Sequence, residues 1–250
     1  MFAPLITSLL LYAAAGNRES PLPPTIARFE TSDGVRIEGD YVPPPVAGRK
    51  GPVAILIHMY PADRKSWEPI RADLLRAGFG VLAYDIRGRG GSTEPAEKNL
   101  RRKYEAREEA HFREAWRDVE AAKKWLGTQP TADTARIVLV GASIGCSIAL
   151  DYGGRDESVK GIVCLSPGTN YFGVDSVAHI RACGKRPILL MAPEAEYEAV
   201  EALIKASGGS AKGEKQPGGR EYHGTNMFRA AYGARVKASI VAFLKKAAGQ

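Results

Sequence analysis

Three widely separated residues of this chain have the types and order needed for acyl-group chemistry. Ser143 lies in GASIGCSIAL, residues 141–150, where the apolar run ARIVLVGAS ends and a small-residue helical pattern begins. A G-x-S-x-G sequence between a strand and a helix suits a sharp turn that holds a serine hydroxyl clear of the backbone, with Gly141 and Gly145 leaving room for it. The five residues alone arise often by chance, so the strand before and the helix after carry the weight. Such a helix aims its first N–H groups at an anion, which makes the Ile144 amide a candidate donor to a tetrahedral oxyanion.

A serine hydroxyl is a weak nucleophile until a base takes its proton. Of four histidines, His58 ends an apolar run and is expected to support the loop after it, while His111 and His179 lie in polar segments and are expected to be solvated. His223, in REYHGTNMF, follows every recognisable strand and precedes the last helical pattern, the place for the base. A carboxylate must then fix its tautomer and stabilise the imidazolium. RPILLMAPEAEYEAV offers Glu194, Glu196 and Glu198, and no aspartate. Counting outward from Pro187 favours Glu196; Glu194 is its rival, and all three also suit the start of a helix, where the dipole favours acids.

The elements needed to position these groups are legible as alternating patterns. TIARFETSDGVRIEGDYVPP alternates about Asp33-Gly34 as a hairpin does. PVAILIHMY, FGVLAYDIRG, ARIVLVGAS, VKGIVCLSPG and RPILLMAPE read as buried strands, with helical patterns at Ser66–Ala77, in REAWRDVEAAKKWLG and at Asn226–Ala248. Strands alternating with helices predict a mainly parallel central β-sheet with helices on both faces, an α/β fold that binds ligands at the carboxyl ends of its strands. KASGGSAKGEKQPGGR reads as a mobile glycine- and lysine-rich stretch. Asp85 and Arg87 are expected to brace neighbouring loops, and Trp67 to anchor a helix. Tyr171 and Phe172 either line an acyl pocket or pack their own loop.

With 250 residues, 44% of them hydrophobic, one globular domain over 25–250 is expected. The net charge is +7, but cations interleave with anions and no aromatic-flanked basic cluster appears, so nucleic acid is not an expected partner. Cys146, Cys164 and Cys183 form neither a zinc spacing nor a disulfide framework; no metal and no cofactor are expected. The opening MFAPLITSLLLYAAAGN ends in small residues like a secretory signal peptide, residues 1–16, followed by a linker at 17–24. It lacks a positive start, and it is shorter than the ~20 apolar residues of a membrane span. Export to the periplasm or the exterior is the expectation, with an unprocessed cytoplasmic chain as the alternative.

The ordered set IHMYPADRKSW, YDIRGRGGS, GASIG, LSPGTNYFGV, RPILLMAPEAEY and HGTNM resembles the α/β-hydrolase superfamily, and most resembles its small, capless dienelactone-hydrolase-like serine esterases, over residues 25–247. The resemblance implies an α/β-hydrolase fold without a large cap domain, Ser143 as nucleophile, Glu196 as acid and His223 as base. It also implies that the loop after the first buried strand gives the second oxyanion amide, from Tyr60 or, alternatively, Met59. Three positions depart from the family pattern: Met59 replaces a glycine, Cys146 replaces the glycine common after the elbow, and the strand before the base loop is hardly visible. Dienelactone hydrolases proper use cysteine as nucleophile, so Ser143 argues against dienelactone as substrate.

The activity implied is hydrolysis of small-molecule carboxylic esters with small or exposed acyl groups, through an acyl-enzyme. The alternatives are a hydrolase-fold binding or scaffold protein without catalysis, and an acyltransferase using the same residues. Oligomeric state is not legible.

Overall fold

The structure, a computed structural model, describes residues 23–46 and 48–250. The signal-peptide expectation and most of the linker expectation lie outside the described residues. The chain opens with a hairpin, β1 (Thr25–Glu30) and β2 (Arg36–Val42), turning at Asp33-Gly34 as its alternation predicts. β3 (Gly51–Ile57) follows, then α1 (Glu68–Arg76) and β4 (Gly80–Tyr84). Next come α2 (Leu100–Glu105), α3 (Glu109–Arg113), α4 (Trp116–Leu126), β5 (Ala132–Ala142), α5 (Ile144–Arg155) and β6 (Gly161–Leu165). The connection after β6 holds a small hairpin, β7 (Asn170–Tyr171) and β8 (Val174–Asp175), and then α6 (Ser176–Ala182). β9 (Ile188–Pro193), α7 (Tyr197–Ala206), β10 (Ala211–Gln216) and α8 (Gly233–Ala247) complete the chain.

Among the described residues, eight strands form one sheet in the order β1-β2-β4-β3-β5-β6-β9-β10, parallel from β4 to β10, with β2 antiparallel to β4 and β1 antiparallel to β2. Successive side chains of a strand point to opposite faces. Ile55 and Ile57 of β3 therefore join Val119, Ile148 and Val200 of α4, α5 and α7 in one core, whereas Ala54 and Leu56 meet Ile70, Leu74, Val236 and Ile240 of α1 and α8 in the other. Burial on both faces explains why these strands read as continuous apolar runs.

Three expectations change. Ala211–Gln216, read as mobile, pairs in parallel with Ile188–Pro193 and becomes the edge strand β10. Its lysines and glutamate leave it almost without apolar alternation, as suits an edge guarded by charge. The last helix starts at Gly233, because Gly224–Arg229 is wound as a 3₁₀ turn.

His111, expected in solvent, is buried, and its Nε2 lies 2.9 Å from the Arg87 carbonyl oxygen, to which it donates. Burial pushes its pKa down to about 4. Asp85 and Arg87 do brace loops, through different partners. Asp85 accepts from the backbone N–H groups of Arg64 and Gly91, both at 2.9 Å. Arg87 is 2% exposed and bonds Asp118, which is 0% exposed, and Asp33. Burial opposes ionisation of Asp33, but the hydrogen bonds and charge of Arg87 outweigh it and bring that carboxyl down to about 2.

Removing one member of a buried ion pair strands the other charge. Asp118→Ala should therefore cost about 3–5 kcal/mol in denaturant unfolding, and the double variant Arg87→Met/Asp118→Leu should recover part of that loss. An unfolded chain also takes up the proton that a buried neutral imidazole refuses, so stability should fall as pH drops from 6.5 toward 4, by up to ~1.4 kcal/mol per pH unit per group. Thermal unfolding across that window should show a shallower fall for His111→Gln than for the native sequence.

Candidate active site

The turn at Ser143 is set by close backbone approach. A side chain at Gly145 would collide with the carbonyl oxygens of Ile57 and His58, and one at Gly141 with the carbonyl of Gly145. Between them Ser143 takes φ 52° and ψ −120°, a conformation costly for a residue with a β-carbon. Its N–H is held by the Leu165 carbonyl of β6 at 2.9 Å. Ile144 is the first residue of α5, so its N–H belongs to the group at a helix start that lacks an intrahelical acceptor. Below the turn the Cys146 thiol is buried against the carbonyls of Gly141 and Leu165, at 3.4 and 3.3 Å. Cys146, Cys164 and Cys183 are all free and buried.

Ile57 pairs with Gly141, so the loop after β3 runs beside the Ser143 turn. His58 is fully buried, and its Nε2 accepts the Ile86 N–H at 3.0 Å. Its proton is thus on Nδ1, which donates to the Met59 carbonyl at 2.9 Å. In a planar trans peptide C=O and N–H point in opposite directions. The Tyr60 N–H, sharing a peptide with the Met59 carbonyl, is consequently turned away from His58.

Glu196 and His223 come together from different elements. Glu196 ends a 3₁₀ turn between β9 and α7, and His223 stands between two short 3₁₀ turns after β10. The His223 Nδ1 lies 2.8 and 2.9 Å from the two Glu196 carboxylate oxygens. A carboxylate only accepts, so Nδ1 carries the proton and Nε2 keeps a lone pair, the form a general base requires. Burial resists the Glu196 charge, but hydrogen bonds from His223 and Ser166 prevail and hold its carboxyl below the usual range. Glu194 and Glu198, by contrast, are exposed. The loop carrying His223 flanks the serine turn: a side chain at Gly224, next to His223, would lie 3.4 Å from Ala142 Cβ.

Tyr171 and Phe172 divide the two roles open to them. The Tyr171 hydroxyl donates to the Ser166 carbonyl at 3.5 Å, and burial pushes its pKa up to about 12, which keeps it a donor. Phe172 packs on Phe112 and Tyr60 at ring-centroid distances of 4.8 and 5.5 Å. The Arg107 guanidinium lies over the Tyr60 ring, 4.7 Å from its centroid. An open depression of about 350 Å³ borders Tyr171, Glu196 and Arg220. Trp67 is buried against Phe228 and anchors its helix as expected.

The sequence reading missed Ser166, whose Oγ accepts the Gly224 N–H at 2.9 Å. A serine before Pro167 at a strand end was the only signal available. It missed Arg107 too, which stands alone in a charged stretch and gains its place only from the aromatic side chains of other segments.

The profile of the alpha/beta hydrolase fold family matches residues 52–185, more than half of the chain. The protein belongs to the α/β-hydrolase family. It is 32% identical over 149 residues to an uncharacterised protein of Mycobacterium tuberculosis (strain H37Rv), a match that covers 59% of this chain and 47% of that one. The chain thus spans about half the length of the curated relatives it matches first. Among solved structures it is similar to DcsB in complex with a substrate analogue, with a TM-score of 0.74 at 14% identity, covering 91% of this chain and 100% of that one. It is also similar to an esterase of Pyrococcus furiosus, with a TM-score of 0.70 at 17% identity, covering 89% and 90%. These likenesses establish the fold, and with the family they make hydrolase chemistry the general expectation.

The two glutamates expected as rivals now separate by geometry. Glu196→Gln should lower turnover of a hydrolysed ester by about 10²–10⁴, the range of general acid–base assistance, while Glu194→Gln should stay within twofold of wild type in the same steady-state assay.

Proposed function

We propose that the protein is a serine hydrolase that cleaves carboxylic esters with small or exposed acyl groups. The observation that carries this reading is the paired contact of both Glu196 oxygens with His223 Nδ1, beside a serine held in a strained strand-to-helix turn. In the proposed reaction His223 Nε2 takes the Ser143 proton as Oγ attacks the acyl carbon. The Ile144 N–H and the Tyr60 N–H receive the oxyanion, Met59 N–H being the less well directed alternative. The imidazolium then protonates the departing alcohol, and water releases the acyl group by the same route in reverse.

The open mouth supports small substrates. The connection from Pro167 to Arg186 holds only a hairpin of two two-residue strands and a seven-residue helix. Nothing of that size builds a lid over a long acyl chain. A scaffold reading drew on the missing aspartate and the faint last strand; Glu196 reaches the histidine with one more methylene, and β10 pairs along its length.

A fluorophosphonate probe should label Ser143, and Ser143→Ala should abolish both labelling and turnover of short-chain nitrophenyl esters with little change in thermal unfolding. Turnover at the wild-type rate in Ser143→Ala would sink the proposal. Adding competing alcohols and measuring products separates hydrolysis from acyl transfer.

A further inference from the structure

Ser166 occupies an unusual place for a side chain with no assigned task. It follows the last residue of β6, takes a left-handed backbone conformation at φ 51° and is 1% exposed. Its N–H donates to the Met191 carbonyl of β9 at 2.7 Å, which ties it to the strand that leads into Glu196. Its Oγ accepts the N–H of Gly224, the residue after His223, at 2.9 Å. An accepting hydroxyl still has a proton to give, and leaving that donor buried without a partner is costly. The group beside it able to take that proton is the Glu196 carboxylate, whose charge the Ser166 hydroxyl helps to favour.

We propose that Ser166 is a positioning residue whose hydroxyl joins the Glu196 carboxylate to the Gly224 backbone, holding acid and base loop in register so that Glu196 meets His223 Nδ1. The inference rests on the reading of Ser143, His223 and Glu196 as the reacting set. Two of those three are long side chains at the ends of short 3₁₀ turns, which by themselves permit several rotamers. A small buried hydroxyl between them removes that freedom at little entropic expense. The charged and titratable groups facing the carboxylate are His223 and Arg220 from the base loop and Tyr171 from β7. Glu198, from the first turn of α7, lines the same depression.

The test compares Ser166→Gly, which suits φ 51°, with Ser166→Ala, which keeps the backbone strain. Both should lower kcat for nitrophenyl butyrate about tenfold, the value of one hydrogen bond to a charged group, with KM within twofold. Both should also move the acidic limb of the kcat profile to higher pH by ~0.5, because a carboxylate freed of one donor holds the imidazolium more strongly. In one-dimensional proton NMR, which needs no substrate, the downfield His223 Nδ1 proton should shift in both variants and vanish in Glu196→Gln.

An unmoved pH limb and an unmoved resonance in both variants would reduce Ser166 to packing, even if kcat fell. Recovery of wild-type behaviour in the glycine variant alone would assign the effect to backbone strain and overturn the proposal. Wild-type turnover in Ser143→Ala or Glu196→Gln overturns the underlying reaction instead, whatever Ser166 does.

Discussion

The contact between the Ser143 turn and the end of β3 constrains the rest of the site. Gly145 lies so close to the Ile57 and His58 carbonyls that no side chain fits there, and the same crowding holds Gly141 against Gly145. The Ser143 turn and the loop carrying Tyr60 are therefore one rigid unit, set by the parallel register of Ile57 with Gly141. The constraint passes outward along the sheet. Ser143 is tied to β6 through the Leu165 carbonyl, and Ser166 to β9 through the Met191 carbonyl. Each group at the site is fixed by the neighbouring strand, and donors preorganised in this way need no rearrangement when charge develops.

A second support is made of buried and half-buried charge. Arg64 bonds Glu38, Asp40 and Asp85, and Arg87 bonds Asp33 and Asp118, so two cations are met by five carboxylates drawn from several elements. Asp85 also holds the Gly91 N–H, and Arg87 offers its carbonyl to His111. Such networks gain little over apolar packing in free energy. They do fix where loops lie, and these loops border the strand ends on which Tyr60 and its neighbours rest.

Legibility in the sequence followed the physics of burial. β3, β5, β6 and β9 are buried on both faces, so their apolar runs announced them and placed Ser143 at a strand end. β10 was nearly invisible, because an edge strand needs few apolar residues and AKGEKQ has almost none. His111 was misplaced for the converse reason: its neighbours are largely charged, and the carbonyl it meets in the interior belongs to Arg87, 24 residues earlier, which no local pattern reveals. Glu196 could be favoured over Glu194 by counting, yet only the fold shows which of two glutamates in one short turn points at the histidine. Ser166 carries no signature beyond a serine before Pro167 at a strand end, since its place depends on where the chain 58 residues later returns.

Met59 shows how a departure from a family pattern can be absorbed. The resemblance leads one to expect glycine there, and a thioether at that point must be housed somewhere. It lies against the base loop, 3.7 Å from the Thr225 hydroxyl, and a β-carbon at Gly224 would come within 2.7 Å of its sulfur. Gly224 itself has φ 57°, a conformation that glycine adopts freely. The need for a small residue has in effect moved from the loop after β3 to the loop that carries His223. One consequence is a direct packing contact between the loop that presents Tyr60 and the loop that presents His223, which a glycine at position 59 could not make. Flexible, polarisable methionine suits that gap, so the substitution joins two loops that the sheet alone leaves to be held separately.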